Sequence, residues 1–303
     1  MTCRPIFVIG VGRSGTTLVR LMLHNHPRLA IPYESHFIGR FYADLPKYGD
    51  LDRDDNLRLL VQHILDEPLL KMWDHPFDVD EVVRSVGERT LAGVLDAIYM
   101  AYARGHNKAR WGDKSDYLDD LPIINCLFPN AQFIHVIRDG RDVARSVIKL
   151  DWGPKDMIAA AQWWNDYVWL GHRLGTVIGS ERYMEVHFER IVQDPAGELR
   201  RVCSFLNEEY APQMLEYYKT SPRAIPDQRK YQHYNTDGPP EASRAFSWKR
   251  EMKKADVALF NRYGGRMLRE LGYEVPDIRV SKVRLGWRML RHLTARTLSK
   301  ATS

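Results

Sequence analysis

The chain opens on an apolar run from Pro5 to Gly10, with β-branched residues and a closing glycine, the pattern of a buried strand. Residues 18–24 then carry helical spacing and stop before Asn25, His26 and Pro27. A second strand is predicted over 29–33 and a short third over 110–112, just before Asp113 and Lys114. Residues 132–137 read as a strong buried strand, and 182–186 as another. Helical periodicity covers 56–65, 88–103, 142–150, 157–174, 198–205 and 256–271, the last ended by Gly272. Strands alternating with helices predict an α/β fold, an open and mostly parallel sheet of about five strands with helices on both faces. Residues 221–247 are rich in Pro, Gly, Asn and Asp and read as a long functional loop. No internal repeat is present, so residues 1–275 are taken as a single domain and 276–303 as a tail.

Composition narrows the class. A chain of 303 residues with 44% hydrophobic and 27% charged residues suits a soluble globular protein with a substantial core. Cys3, Cys126 and Cys203 are odd in number and far apart, which argues against a disulfide framework and a cysteine metal site. A reducing, cytoplasmic location is expected. No run of 18 apolar residues predicts a spanning helix. The apolar start is followed by Arg13, Ser14, Gly15, Thr16 and Thr17 rather than a cleavage-like segment, so a signal peptide is not expected. Net charge is +5, but seven basic residues and no acidic ones fall between Ile278 and Ser303. The rest of the chain is therefore slightly negative, and no nucleic-acid partner is expected.

Chemistry concentrates in two segments. Gly10, Gly12 and Gly15 satisfy the spacing of a dinucleotide-binding turn, with Glu34 near the place of a ribose-binding acid. Against that reading, Arg13, Ser14, Thr16 and Thr17 put a cation and three hydroxyls into a turn that is usually small and neutral. The same residues also fit a Walker A loop whose lysine is replaced by Thr16. Backbone N–H groups at a strand–loop–helix junction still cradle a phosphate there, and Arg13 supplies a cation from inside the loop. In the second segment, Arg138 stands at the carboxyl end of the 132–137 strand, the edge where open parallel sheets bind ligands. Ser146 follows one helical turn after Asp142. Together they can hold a second phosphate, unless Arg138 and Arg141 simply pair with Asp139 and Asp142.

The two segments together resemble PAPS-dependent sulfotransferases, of a bacterial type related to tyrosylprotein and carbohydrate sulfotransferases; PAPS is 3′-phosphoadenosine 5′-phosphosulfate. Arg13 to Thr17 resembles that family's 5′-phosphosulfate loop, and Phe133 to Ser146 its 3′-phosphate motif. Trp111 to Ser115, His187 to Val192 with Asp194 and Pro195, and Ser247 to Lys249 agree in order and spacing. The resemblance implies a P-loop-type fold and transfer of a sulfuryl group from PAPS to a hydroxyl or amine, leaving 3′-phosphoadenosine 5′-phosphate, with no metal. It implies that Arg13, Ser14, Gly15, Thr16 and Thr17 wrap the 5′-phosphosulfate. Arg138 and Ser146 would hold the 3′-phosphate, and Lys249 or Ser247 would close a loop over the cofactor. Two departures stand out. Phe188 replaces a tyrosine frequent in relatives, and Asp116 stands where relatives commonly have proline.

Glu34 is the expected general base, as a glutamate at this place is in tyrosylprotein sulfotransferases. Lys114 is expected to stabilise charge on the leaving phosphate. Asp116 is the reserve base, and His36 is placed to assist. Trp73, Trp152, Trp163, Trp164, Trp169, Tyr231 and Tyr234 offer aromatic surface to an unidentified acceptor, which a lipid, a sugar or a phenol would suit equally. In the tail, Val283, Trp287, Leu290, Leu293 and Leu298 share one helical face opposite Arg284, Arg288 and Arg291. That face either docks on the protein or makes a peripheral contact with an anionic membrane. A lysine-less P-loop kinase or NTPase, a dinucleotide-binding oxidoreductase and a nucleotide-binding module without transfer activity are the alternative readings.

Overall fold

The computed structural model describes residues 4–220, 225–226 and 236–280. The predicted amphipathic face of the tail, and Tyr231 and Tyr234, lie outside these residues.

In chain order the elements are β1 (Ile6–Ile9), α1 (Thr16–His24), β2 (Leu29–Ala30), α2 (Ile38–Asp44), α3 (Asp54–Leu65), α4 (Val79–Ser85) and α5 (Leu91–Gly105). Next come β3 (Arg110–Lys114), α6 (Leu121–Leu127), β4 (Gln132–Ile137), α7 (Gly140–Val147) and α8 (Met157–Ile178). The chain continues through β5 (Tyr183–His187), α9 (Phe188–Gln193), α10 (Pro195–Leu206), α11 (Trp248–Glu251) and α12 (Lys254–Glu270). The five strands form one sheet in the order β2-β3-β1-β4-β5, and every neighbouring pair is parallel.

Strand alternation sorts the core onto two faces. Phe7, Ile9, Phe133 and Ile137 pack with residues of α5, α6, α8 and α12, while Ile6, Val8, Ile134 and Val136 pack with α1 and α10. On the first face Phe7 stacks on Phe133 at 5.7 Å and Tyr99 on Trp111 at 4.5 Å. This aromatic layer fixes the sheet whose carboxyl edge carries the site. No helix among the described residues is long and apolar enough to cross a membrane.

Several boundaries move for identifiable reasons. The second strand ends at Ala30 because the backbone of Ile31 bonds to α1 instead: its N–H donates to His24 Nδ1 at 3.1 Å, and its carbonyl accepts from Arg20 at 3.2 Å. That turns the chain off the sheet and brings Glu34 back over the edge. Helix α7 starts at Gly140, two residues earlier than predicted, because the Asp139 carboxylate caps the Arg141 N–H at 3.0 Å. Asp194 likewise caps Gly197 at 3.0 Å and starts α10 at Pro195. The short helices α2, α4, α6 and α11 have too few turns to show a period in the sequence.

Candidate active site

The first loop leaves β1 and enters α1. A side chain on Gly10 would put its Cβ 2.5 Å from the carbonyl oxygen of Val136 on β4. Gly15 has φ 97° and would put a Cβ 2.4 Å from the Phe188 ring. Both positions therefore need glycine. Between them Arg13 adopts φ 72°, and the Ser14 N–H donates to the Val11 carbonyl at 3.1 Å to close the turn. No side chain caps α1. The first-turn N–H groups have no intrahelical acceptors, which is the arrangement that binds anions. The Ser14 hydroxyl is buried without a hydrogen-bond partner.

The second cluster sits directly beside this loop. Arg13 Nε donates to Ser146 Oγ at 3.0 Å. Arg141 pairs with Asp139 at 2.7 Å, fully buried, and lies 3.6 Å over the Trp248 ring, whose Nε1 donates to the same carboxylate at 2.9 Å. Arg141 and Asp139 are thus a structural pair. Arg138 is not consumed in this way. Its guanidinium donates to the carbonyls of Arg13 and Arg244 at 3.3 Å each and stands 4.3 Å over the Phe188 ring. Its Nε is buried with no partner, and burial lowers its pKa from the ordinary arginine value. Phe188, the departure from the expected tyrosine, therefore supports Arg138 by its ring face and shapes the loop at Gly15.

Glu34 and Lys114 meet across the end of β3. Lys114 Nζ donates to Glu34 Oε1, and His36 Nε2 lies 3.1 Å from Glu34 Oε2. Burial works against ionising Glu34, but Lys114 and His36 outweigh it and hold its carboxyl well below the usual range. His36 is raised in return: burial opposes its protonation, and the bond to Glu34 overcomes that. A hydrogen-bonded layer lies behind the pair. Ser35 Oγ donates to Asp113 at 2.6 Å and also bonds Tyr117, while Ser115 Oγ accepts from the N–H groups of Ser35 at 3.0 Å and His36 at 3.3 Å. Sequence reasoning had no signal for this layer, because its members lie far apart along the chain.

A cavity of about 300 Å³ joins these parts. Arg13, Gly15, Thr16, Thr17, Arg138 and Phe188 line one portion, and Glu34, His36, Lys114 and Asp116 another. Arg244, Thr236, Leu69 and Trp152 also line it; the first three were not foreseen as site residues. Ser247 and Lys249 do not line this cavity. Ser247 Oγ donates to Asp142 at 2.6 Å and accepts from Arg145 at 2.8 Å, tying α11 to α7. Lys249 pairs at the surface with Glu274 at 2.6 Å. Trp164 and Trp73 are core residues, while Trp152 and Trp169 are exposed. Among the described residues no cluster of three His, Cys, Asp or Glu could hold a metal ion.

A parallel α/β sheet with a glycine-rich loop and a second basic cluster at its carboxyl edge is an architecture of P-loop type. The pattern of the sulfotransferase family matches residues 5–212, and the chain belongs to that family. A putative protein-tyrosine sulfotransferase of Caenorhabditis briggsae is 28% identical over 222 residues, which is 71% of this chain and 69% of that protein. The protein-tyrosine sulfotransferase of Drosophila melanogaster is 29% identical over 229 residues, 73% of this chain and 42% of the fly protein. An uncharacterized Aquifex aeolicus protein is 27% identical over 228 residues, 72% of this chain and 27% of its own length. The chain thus spans from 27% to 69% of the length of these relatives. In fold it is similar to the sulfotransferase domain of the Synechococcus PCC 7002 olefin synthase. That similarity has a TM-score of 0.62 and 24% identity, and covers 91% of this chain and 98% of that domain.

Proposed function

We propose that the chain is a PAPS-dependent sulfotransferase that moves a sulfuryl group to a hydroxyl or amine of an acceptor. The observation that carries this reading is the bond from Arg13 to Ser146, which places the two phosphate motifs side by side. Two buried polar groups without partners, Ser14 Oγ and Arg138 Nε, and two glycines that admit no side chain fit an anionic ligand with two phosphate positions. PAPS supplies the sulfuryl group on a phosphate leaving group. Arg13 to Thr17 hold the 5′ end, and Arg138 with Ser146 holds the 3′-phosphate. Arg244 adds a residue at the same cavity.

Lys114 and Glu34 divide the remaining work. At rest they neutralise each other, so a nearly buried ammonium and a carboxylate are held without an exposed charge. Turning Lys114 toward an anionic oxygen in the cavity removes the main charge that keeps Glu34 acidic. The carboxyl then rises from its depressed value, with His36 alone still opposing burial, and becomes a stronger base for the acceptor proton. The network of Ser35, Asp113 and Ser115 fixes the backbone from which both side chains project. Cytoplasmic action is part of the proposal, supported by the unpaired thiols of Cys126 and Cys203.

The test is an incubation with PAPS and a panel of hydroxyl and amine acceptors, following the bisphosphate product and the sulfated acceptor together. The proposal expects their equimolar formation without added metal. Magnesium-dependent turnover of ATP or GTP, with PAPS left intact, would overturn it in favour of a kinase or NTPase.

A further inference from the structure

The cavity is sorted by charge. Arg13, Arg138 and Arg244 serve its phosphate portion. In the other portion Glu34 and Lys114 cancel each other, and His36 leans on Glu34. Asp116 is left over. Its side chain lines the cavity and makes no hydrogen bond or ion pair among the described residues. Asp119 and Asp120 follow close by, and the hydroxyl of Tyr167 feels both Asp119 and Asp116. Of the two carboxylates that line the cavity, Glu34 is held by Lys114 and His36, whereas Asp116 feels both cations without a hydrogen bond to either.

An aromatic wall meets that carboxylate. Trp152 is 56% exposed and packs over Gly12 so closely that a Cβ there would lie 2.9 Å from its ring. The same Cβ would lie 3.7 Å from Asp116 Oδ2, so indole and carboxylate converge over one bare glycine. Trp152 is braced edge-on by Trp163 at 6.4 Å, Trp163 packs on Tyr167 at 5.7 Å, and the Tyr167 hydroxyl donates to Asp119 at 2.9 Å. A large apolar ring left exposed inside a polar cavity, but held in place from behind, is a surface for a flat partner.

We propose that Trp152 and Asp116 form the acceptor subsite and select a small aromatic hydroxyl compound carrying a positive charge. This rests on the sulfotransferase reading above. The ring lies on Trp152, the cation meets Asp116, and the hydroxyl reaches Glu34. The sulfuryl group passes from the phosphate oxygen to the acceptor oxygen, the S–O bond to phosphate breaks, and the hydroxyl proton goes to Glu34. Asp116 is on this account a specificity-determining residue, not the base.

Three phenols of one shape and different charge test it: tyramine, 4-ethylphenol and 3-(4-hydroxyphenyl)propionate, each with PAPS, in a chain whose binding of 3′-phosphoadenosine 5′-phosphate is measured in parallel. The expected kcat/KM order is cation, neutral, anion, with about tenfold or more between the ends. Asp116→Asn lowers the value for tyramine and raises it for the propionate, so that the order collapses. Trp152→Ala raises KM for all three and keeps the order. Preference for the anion, or an equal loss on all three acceptors in Asp116→Asn, would overturn the proposal, the second because it marks a base. Transfer to none of the three by a chain that binds the bisphosphate would also overturn it. A chain that does not bind the bisphosphate loses the sulfotransferase reading, and the proposal with it.

Discussion

Arg13 and Ser146 stand 133 positions apart in the chain, and a 3.0 Å hydrogen bond joins them where β1 and β4 end side by side. Neither residue is informative alone. Parallel pairing of the two strands, with Ile9 opposite His135, delivers the glycine loop and the second basic cluster to one edge. On the proposed function, this adjacency makes two weak motifs parts of one ligand site.

Arg138 should dominate the affinity for the bisphosphate. Arg138→Ala removes one partner of a desolvated charge pair and is expected to cost about 2–5 kcal/mol in a calorimetric titration. Phe188→Leu removes the ring beneath the guanidinium and should cost about 0.5–2 kcal/mol. Lys249→Ala should change little, since Lys249 is engaged at the surface with Glu274. An Arg138→Ala chain that binds as tightly as the wild type would contradict the assignment.

Lys114→Ala and Glu34→Gln should each lower turnover by about 10²–10⁴-fold while affinity for the bisphosphate falls much less. Steady-state kinetics alongside calorimetry separates the two effects. Wild-type turnover with binding intact would remove both residues from the chemistry.

Much of the fold could be read from residue pattern, and the site only in pieces. The strand over 132–137 is apolar on both faces and bounded by polar residues, so its limits match β4. The residues at 31–33 are as apolar as a strand, yet Ile31 gives its backbone bonds to His24 and Arg20, a tertiary choice no window reveals. Arg13, Glu34, Lys114 and Arg138 are legible because each closes or follows a strand. Arg244 and Thr236 lie on an aperiodic stretch of sequence, so no residue pattern places them at the cavity they line. The residues alone left open that Arg138 and Arg141 both pair with Asp139 and Asp142; in the fold Asp139 and Trp248 claim Arg141, and Arg138 Nε is left without a partner.

Glu189 gives a pH dependence with a definite sign. It is buried, accepts from the Asp139 N–H and the Tyr273 hydroxyl at 2.9 Å each, and burial pushes its carboxyl up to about 7. The unfolded chain ionises this group near the ordinary glutamate value, so the native state loses stability between that value and about pH 7. Glu189→Gln keeps one acceptor oxygen, puts an N–H donor in place of the other, and carries no charge. Relative to wild type it should gain stability progressively from about pH 4.5 to pH 7, by at most ~1.4 kcal/mol per pH unit. Denaturant melts at several pH values check this. A gap that stays constant across the range would show that Glu189 is not held protonated.

The central claim is that two phosphate clusters form one site. Calorimetric titration with 3′-phosphoadenosine 5′-phosphate, beside ATP and NAD and without magnesium, tests it most directly. The account predicts tight binding of the bisphosphate and weak or no binding of the other two. Binding of ATP or NAD without the bisphosphate would contradict it, and would assign the loop between Gly10 and Thr17 to a different nucleotide.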